Sequence, residues 1–338
     1  MVLPPGGGAR APSMVDVAEQ ARVSHQTVSR VLNTPDAVRP ATREKVERAM
    51  RELGYRRNAT ARALKTRRTG LIGVITPGHS AFGPNRMTLA VEEAAREHGF
   101  ATALSVVRDS RPETVESSLE FFLDHGVDGI VVLAPIIAVA EAARQIAETR
   151  SVVLVASGAE PTASLDVVGI DQVRGAREAV RHLLDAGRRR IAHAAGPGEW
   201  YDARGRVQGW RQTLSAAGVA EGPLLHCAGW TADDGYAAGA ELAPQVASGA
   251  VDAVFAANDY IALGMMHAFA DHGLGVPEDV AMVGFDDVDG AAHLSPPLTT
   301  VRQPFEAVGR AAIAELFGAG GGEHTMLIAP TLIRRATA

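Results

Sequence analysis

The sequence predicts a small all-α head followed by a larger α/β body of two parallel-sheet lobes. Three observations predict it. Residues 13–32, SMVDVAEQARVSHQTVSRVL, place apolar side chains at helical spacing on both sides of one short interruption. From Leu71 onward, short apolar runs alternate with longer amphipathic stretches, the rhythm of a parallel sheet covered by helices on both faces. Positive charge gathers at one end: residues 10–69 hold 14 Lys or Arg against 6 Asp or Glu, a balance of +8, which leaves −14 for the rest of a chain whose net charge is −6.

The first stretch reads as a helix-turn-helix. Ala18 and Ala21 let two helices cross closely, while Val15, Val17, Val23, Val28, Val31 and Leu32 supply apolar faces. Ser24 stands where its hydroxyl caps the second helix, and His25, Gln26, Ser29 and Arg30 then share one polar face, flanked by Thr27 and Asn33. Gln26 has the geometry to pair with adenine and Arg30 with the O6 and N7 acceptors of guanine. A generic helical bundle with a solvated side is the plainer alternative. A third helix is expected from about Pro40 to Leu53, with Val46, Ala49, Met50 and Leu53 turned inward and Gly54 ending it.

A basic connector, GYRRNATARALKTRRTG, follows at residues 54–70. Its middle, Asn58 to Lys65, can form one or two helical turns, marginal unless a partner buries them. Leu64, with Ala61 on the same side and Arg62, Lys65, Arg67 and Arg68 nearby, suits an apolar wedge in a DNA minor groove; a flexible linker with one exposed leucine fits equally well.

In the body, strands are expected at 71–75, 101–106, 129–133 and 152–156, and again, after LDVVGID at 165–171, at 191–195, 223–227, 251–257 and 280–285. Helices are expected near 84–98, 112–125, 139–148, 173–186, 202–217, 231–247 and 259–273. Two similar lobes imply a cleft, and polar residues at strand ends face it. Asp171, Asn258, Asp259, Asp286 and Asp287 occupy such positions, Arg206 lies early in a helix, and Trp200 and Trp230 sit in loops. Carboxylates, an amide and a guanidinium suit sugar hydroxyls, and an indole suits the C–H face. Each also has a structural alternative: the aspartates and Asn258 as helix caps, the tryptophans as loop packing.

Other classes are disfavoured. No run of apolar residues is long enough to cross a membrane, and MVLPPGGGARAP lacks the features of a signal peptide; it reads as a disordered lead-in, with Met14 a possible alternative start. The single cysteine, Cys227, excludes an intrachain disulfide and a cysteine-rich metal site, and indicates the cytoplasm. No nucleophile elbow, P-loop, HExxH or dinucleotide fingerprint occurs, Asp286 and Asp287 are too close in sequence to converge as a catalytic pair, and His272 and His293 stand alone, so no enzymatic role, cofactor or metal is expected.

The segments VDVAEQARVSHQTVSRVLN, TREKVERAMRELGYRRNATARAL, LIGVITP, DGIVV, AANDYIALG, VGFDD and PPLTTVRQP occur in the order found in lac-repressor-family transcriptional regulators, which the chain resembles over residues 14–335. The resemblance implies a sugar-binding-protein-like core, of the periplasmic-binding-protein kind, behind the DNA-binding head. It implies the following layout: an N-terminal extension at 1–13, a DNA-binding domain at 14–57, a hinge helix and linker at 58–69, and a core at 70–338 that binds effector and dimerises. The N-lobe would take about 70–169 plus 303–321 and the C-lobe about 170–302 plus 322–338. It implies DNA contacts from Ser24, His25, Gln26, Thr27, Ser29, Arg30, Asn33, Asn58, Ala61 and Leu64, and effector contacts from Phe82, Asp171, Trp200, Arg206, Trp230, Asn258 and Asp286. A homodimer on a pseudopalindromic operator follows, because one head reads one half-site. The expected function is repression of sugar-utilisation genes, relieved when a mono- or disaccharide enters the cleft. A corepressor-responsive regulator, as in the purine branch, is the alternative, and a transport receptor is a more distant one. Pro77 replaces a sugar-contacting serine of the family's namesake and Phe82 a polar neighbour, so the cleft roof is more apolar and lactose-type specificity does not carry over. The sequence ends at Ala338 without a leucine heptad tail, which favours a dimer over a tetramer.

Overall fold

The computed structural model describes residues 12–56, 68–78, 81–107, 111–146, 151–162, 165–318 and 325–338. The chain divides into two compact units, Met1–Thr69 and Gly70–Ala338. The expected hinge contacts Asn58, Ala61 and Leu64, and nearly all of the expected N-terminal extension, lie outside the described residues.

The head is three helices, α1 (Met14–Ala21), α2 (His25–Asn33) and α3 (Pro40–Leu53). Ser13 and Asp16 cap α1 reciprocally: the Ser13 N–H donates to Asp16 Oδ2 at 2.6 Å and the Asp16 N–H to Ser13 Oγ at 3.4 Å. Arg22, at φ +52°, ends the helix in the left-handed region, and two residues later Ser24 Oγ accepts the Thr27 N–H at 3.1 Å to start α2. α3 begins on Pro40, whose missing N–H costs nothing there, and ends at Gly54, φ +64°. Val17, Ala18, Ala21, Val28, Val31, Val46 and Ala49 form the core, fringed by Met14, Leu32, Met50 and Leu53. Val15 departs from expectation. It is 51 % exposed, because the inward stripe of α1 runs through positions 14, 17, 18 and 21 and Val15 lies off it.

The second unit contains two parallel sheets. The first joins β1 (Leu71–Pro77), β2 (Ala101–Val107), β3 (Gly129–Leu133), β4 (Val152–Val155), β5 (Leu165–Ile170) and β11 (Thr325–Ile328) in the order β11-β5-β4-β3-β1-β2. Helices α4 (Phe82–Glu97), α5 (Pro112–Asp124), α6 (Ile137–Ile146) and α11 (Phe305–Phe317) cover it, with separate apolar clusters around Leu119 and Phe122 on one face and Val91 and Ile313 on the other. The second sheet, order β7-β6-β8-β9, joins β6 (Ile191–Ala195), β7 (Leu224–His226), β8 (Ala253–Ala256) and β9 (Ala281–Val283). Helices α7 (Gln172–Asp185), α8 (Tyr201–Ala216), α9 (Ala232–Ala247) and α10 (Asp259–Asp271) flank it, around cores centred on Trp210 and Phe255 and on Leu242 and Phe269. Strands β10 (Thr300–Arg302) and β12 (Thr331–Ile333) pair antiparallel as a separate ribbon.

The C-terminal segment corrects the expected lobe division. Residues 325–328 belong to the first sheet, because β11 pairs in parallel with β5, Thr325 opposite Val167 and Ile328 opposite Ile170. A parallel partner needs a crossover, which α11 supplies after β10 has carried the chain back. The run TMLIAPTLI is broken at Pro330 into β11 and β12, which pair in different sheets.

Candidate functional site

In the head, the caps of α2 fix which side chains leave the surface. Val28 and Val31 turn inward, while Ser24, His25, Gln26, Arg30 and Asn33 are exposed and Thr27 and Ser29 half-buried. His25, Gln26 and Arg30 have no side-chain hydrogen bond or ion pair among the described residues, so their donors and acceptors are available to a duplex. Four neighbours are engaged with one another. Ser24 and Thr27 hydroxyls lie 2.9 Å apart, and Asn33 Nδ2 donates to the Ser29 carbonyl at 2.7 Å and the Ser29 hydroxyl at 3.2 Å.

In the second unit, polar side chains converge on Arg206, which is only 2 % exposed although it lies in the second turn of α8. Its Nε donates to Gln172 Oε1 at 2.9 Å, Nη1 donates to the Ala257 carbonyl, and Nη2 lies 3.8 Å from both Asp202 and Asp286. Gln172 Nε2 donates onward to Gln303 Oε1 at 2.9 Å, and Gln303 Nε2 to Asp286 Oδ1 at 2.6 Å, which closes a ring of four side chains. The guanidinium carbon lies 3.9 Å from the Phe285 ring centroid and 5.5 Å from that of Trp230. Burial pushes the Asp286 carboxyl up to about 6, against the pull of Arg206 and the Gln303 hydrogen bond. Its backbone sits at φ +113°, so the position stores strain to aim the carboxylate. Asp287 turns the other way, to Arg302 and Arg335 at 2.6 Å each, and the adjacent aspartates diverge as expected.

The remaining expected contacts divide. Asn258 Oδ1 caps α10 by accepting the Ile261 N–H at 2.8 Å, while its Nδ2 donates to the Trp230 carbonyl at 3.1 Å; it therefore positions the loop that carries the indole. Asp171 Oδ1 caps α7 through the Arg174 N–H at 2.8 Å and stays out of the Arg206 ring, which its neighbour Gln172 joins instead. Trp200 is 6 % exposed, packed in the first lobe's core and edge-on to Trp230 at 5.3 Å, so this loop tryptophan is buried. Phe82 is half-buried and edge-on to Phe305 at 5.9 Å.

Two recesses border these residues. A small one of about 50 Å³ is lined by Met87, Leu133, Ser157, Asp202, Gln303 and Phe305 among others. A larger one of about 480 Å³ is lined by Phe82, Trp200, Trp230 and Tyr260 together with Glu199 and Thr231. Sequence reasoning missed Gln172, Gln303 and Asp202. Only Asp202 had a local signal, its i,i+4 spacing to Arg206; the two glutamines meet across 131 residues of sequence. Among the described residues, no group of three or more His, Cys, Asp or Glu side chains is placed to hold a metal ion.

Comparison with known proteins places both units. Residues 13–58 match the model of bacterial regulatory proteins of the lacI family, and residues 180–338 match a periplasmic binding protein-like domain. The HTH-type transcriptional regulator CelR of Thermobifida fusca is 37 % identical over 325 residues, covering 94 % of each chain. The lactose operon repressor of Escherichia coli K12 is 32 % identical over 330 residues, 96 % of this chain and 90 % of the repressor. Among solved structures, the lac repressor dimer bound to operator and the anti-inducer ONPF has a TM-score of 0.83 at 30 % identity, over 97 % of this chain and 99 % of that one. A CelR–cellobiose complex has a TM-score of 0.71 at 32 % identity, over 97 % of this chain and all 100 % of the other. With a relative more than a third identical along nearly its whole length and the head and body folds both matched, the chain belongs to the lacI family of bacterial regulatory proteins.

Proposed function

We propose that the protein is a transcriptional repressor that holds a pseudopalindromic operator as a homodimer and releases it when a saccharide enters the cleft beside Arg206. The observation that carries this reading is the unengaged His25–Gln26–Arg30 face of α2, displayed by a chain whose second unit buries a guanidinium among two carboxylates and an indole. Gln26 and Arg30 read base edges, His25 contacts a base or phosphate, and Ser24, Thr27, Ser29 and Asn33 set the register of the helix on the backbone. Asn58, Ala61 and Leu64 supply the hinge contacts, with Leu64 as the wedge at the operator centre. The basic head favours phosphate contacts and makes affinity salt-dependent, while the acidic body contributes none.

At the cleft, Arg206 and Asp286 face sugar hydroxyls, Trp230 covers a C–H face, Asn258 holds the Trp230 loop, and Phe82, Trp200 and Asp171 border the approach. The 3.8 Å separations leave each charged pair longer than a hydrogen bond, so a bridging hydroxyl improves both partners at once. That difference in affinity between two arrangements of the lobes is what couples ligand to DNA. The relatives support the choice: one is the lactose operon repressor, and one similar solved structure is a CelR–cellobiose complex. Action on DNA puts the protein in the cytoplasm, at the nucleoid, and no helix of the described residues is long and apolar enough to cross a membrane.

Operator titrations with and without mono- and disaccharides test the proposal. Weaker operator binding with a saccharide is the expected result. Unchanged affinity across a broad panel overturns induction by sugar, and tighter binding with a purine identifies a corepressor instead.

A further inference from the structure

We infer that the outer face of α7 and α8, together with the edge strand β7, is a docking surface for an acidic, extended segment of a partner protein. The segment adds a strand to β7 and lays its carboxylates among the arginines of the two helices.

Charge singles out this face. Residues 172–212 hold 9 Arg against 4 Asp or Glu, a balance of +5 in a body of −14, which leaves −19 for the rest of residues 70–338. Of the nine, Arg206 is buried and Arg188 half-buried, while the other seven are exposed. Arg181 makes no hydrogen bond or ion pair among the described residues. Arg211 meets Glu221 at 3.3 Å in a pair whose side chains are both about half exposed, so a partner's carboxylate displaces Glu221 at little cost.

Two recesses receive the segment. One, about 490 Å³, lies between α8 and β7; Arg204, Gln208, Arg211, Leu224 and His226 line it, and no Asp or Glu does. The other, about 530 Å³, lies between α7 and α8, where Arg177, Arg181 and Arg189 face a single carboxylate, Asp185. Gln212 lines both, and Val219, in the connection from α8 to β7, lines the second, so the recesses adjoin along α8.

The backbone decides which kind of anion fits. β7 is the outermost strand of its sheet and pairs with β6 alone. The His193 N–H donates to the Pro223 carbonyl and the Cys227 N–H to the Ala195 carbonyl, each at 2.9 Å, so Pro223, Leu225 and Cys227 turn their polar groups toward β6. By the alternation of a ladder, Leu224 and His226 turn theirs outward, on the side where no strand pairs. A phosphate backbone carries acceptors alone. An added peptide strand brings donors and acceptors at the matching spacing, and guanidiniums beside it select carboxylates as its side chains.

Fluorescence anisotropy of the full-length protein tests the inference with three labelled probes: a peptide of alternating Glu and Thr, one of alternating Glu and Pro, and oligo-dT. The basic head also attracts polyanions, so the body variant Arg181→Ala/Arg211→Ala is compared with the head variant Arg30→Ala. All three side chains are exposed, and thermal unfolding checks that each variant folds. The expected result is that the Glu–Thr peptide binds, that the body variant weakens it about tenfold while Arg30→Ala leaves it unchanged, and that the Glu–Pro peptide, with half its N–H donors gone, binds at least about fivefold more weakly. Equal binding of the two peptides reduces the face to plain charge attraction and overturns the strand addition. A Glu–Thr peptide that fails to bind, or binds the body variant as well as the wild type, overturns the docking surface. So does oligo-dT bound more tightly than the peptide and lost in the body variant, which assigns the face to nucleic acid. Sedimentation showing self-association of the wild type beyond a dimer, abolished in the body variant, gives the face to a second copy of the chain and overturns the proposal as well.

Discussion

The Trp230 ring lies directly over Gly196, where an added methyl carbon would come within 2.6 Å of Cζ3 and 2.7 Å of Cζ2 of the indole. Gly196 follows the end of β6, and the same indole lies 5.5 Å from the Arg206 guanidinium carbon. Gly196→Ala therefore displaces the indole from its seat, at a cost of about 1–3 kcal/mol in stability for the overpacked contact. The expected phenotype is a repressor that still binds operator but needs far more effector for release. Operator titration against effector concentration measures it, and a wild-type release curve would show that the position of the indole does not matter to the ligand.

Arg206 and Asp286 separate folding from response. Arg206→Lys leaves one ammonium where a fork reached Gln172 and the Ala257 carbonyl and approached two carboxylates, so at least one buried acceptor loses its donor, at about 1–3 kcal/mol. Asp286→Asn is milder. Its amide oxygen still accepts from Gln303 Nε2, and asparagine tolerates the positive φ of that position. Asp286→Asn should unfold near the wild-type temperature, bind operator normally and require about tenfold more effector for release, the worth of one charge-assisted hydrogen bond. Release at the wild-type effector concentration would remove Asp286 from the ligand.

The α/β body was legible because short β-branched apolar runs such as GIVVL and VVLV alternate with longer amphipathic stretches, and the helices between them start within two residues of expectation. Arg206, Asp286, Trp230 and Asn258 could be picked out because each follows a strand or opens a helix. Their partners could not. Gln172 and Gln303 become neighbours only when β10 returns the chain to the first lobe, and no local pattern records that crossing. Trp200 takes the loop-packing alternative: a loop residue is exposed by default, but the bridge it makes with Ile136 tucks this loop against the other lobe. The edge strand β11 escaped because its apolar run continues, through Pro330, into a strand of another sheet.

The head makes two predictions of opposite character. Ser24→Ala removes the hydroxyl that accepts the Thr27 N–H and should destabilise the head by about 1 kcal/mol, lowering affinity for operator and random duplex alike. Arg30→Ala removes an exposed side chain with no side-chain partner among the described residues and should leave the unfolding temperature unchanged. It should cost about 1–3 kcal/mol per half-site on operator and relax base choice at one position. Equal losses on operator and scrambled DNA would place Arg30 on phosphate instead.

Asp259 gives the body a pH dependence of known sign. Its carboxyl is 1 % exposed, and burial, helped by the charge of Asp286, pushes it up to about 8 although it accepts hydrogen bonds from Thr300 and the Val288 N–H. In the unfolded chain an aspartate titrates near about 3.9. Between those values the native state holds the extra proton, so the stabilisation is complete below the lower value and is lost as pH rises through the upper one. Asp286 acts in the same direction but has finished by its own value of about 6. His193 acts oppositely: burial, outweighing its hydrogen bond to the Phe255 carbonyl, pushes it down to about 3 from 6.5, so it takes stability away only as pH falls below 6.5. The window from pH 6.5 to 8 therefore belongs to Asp259. Denaturant unfolding across it should show stability declining with pH by at most about 1.4 kcal/mol per unit. Asp259→Asn should flatten that slope, since its amide can still face the Thr300 hydroxyl, which is free to reverse its role. A slope that persists in Asp259→Asn would assign the proton elsewhere.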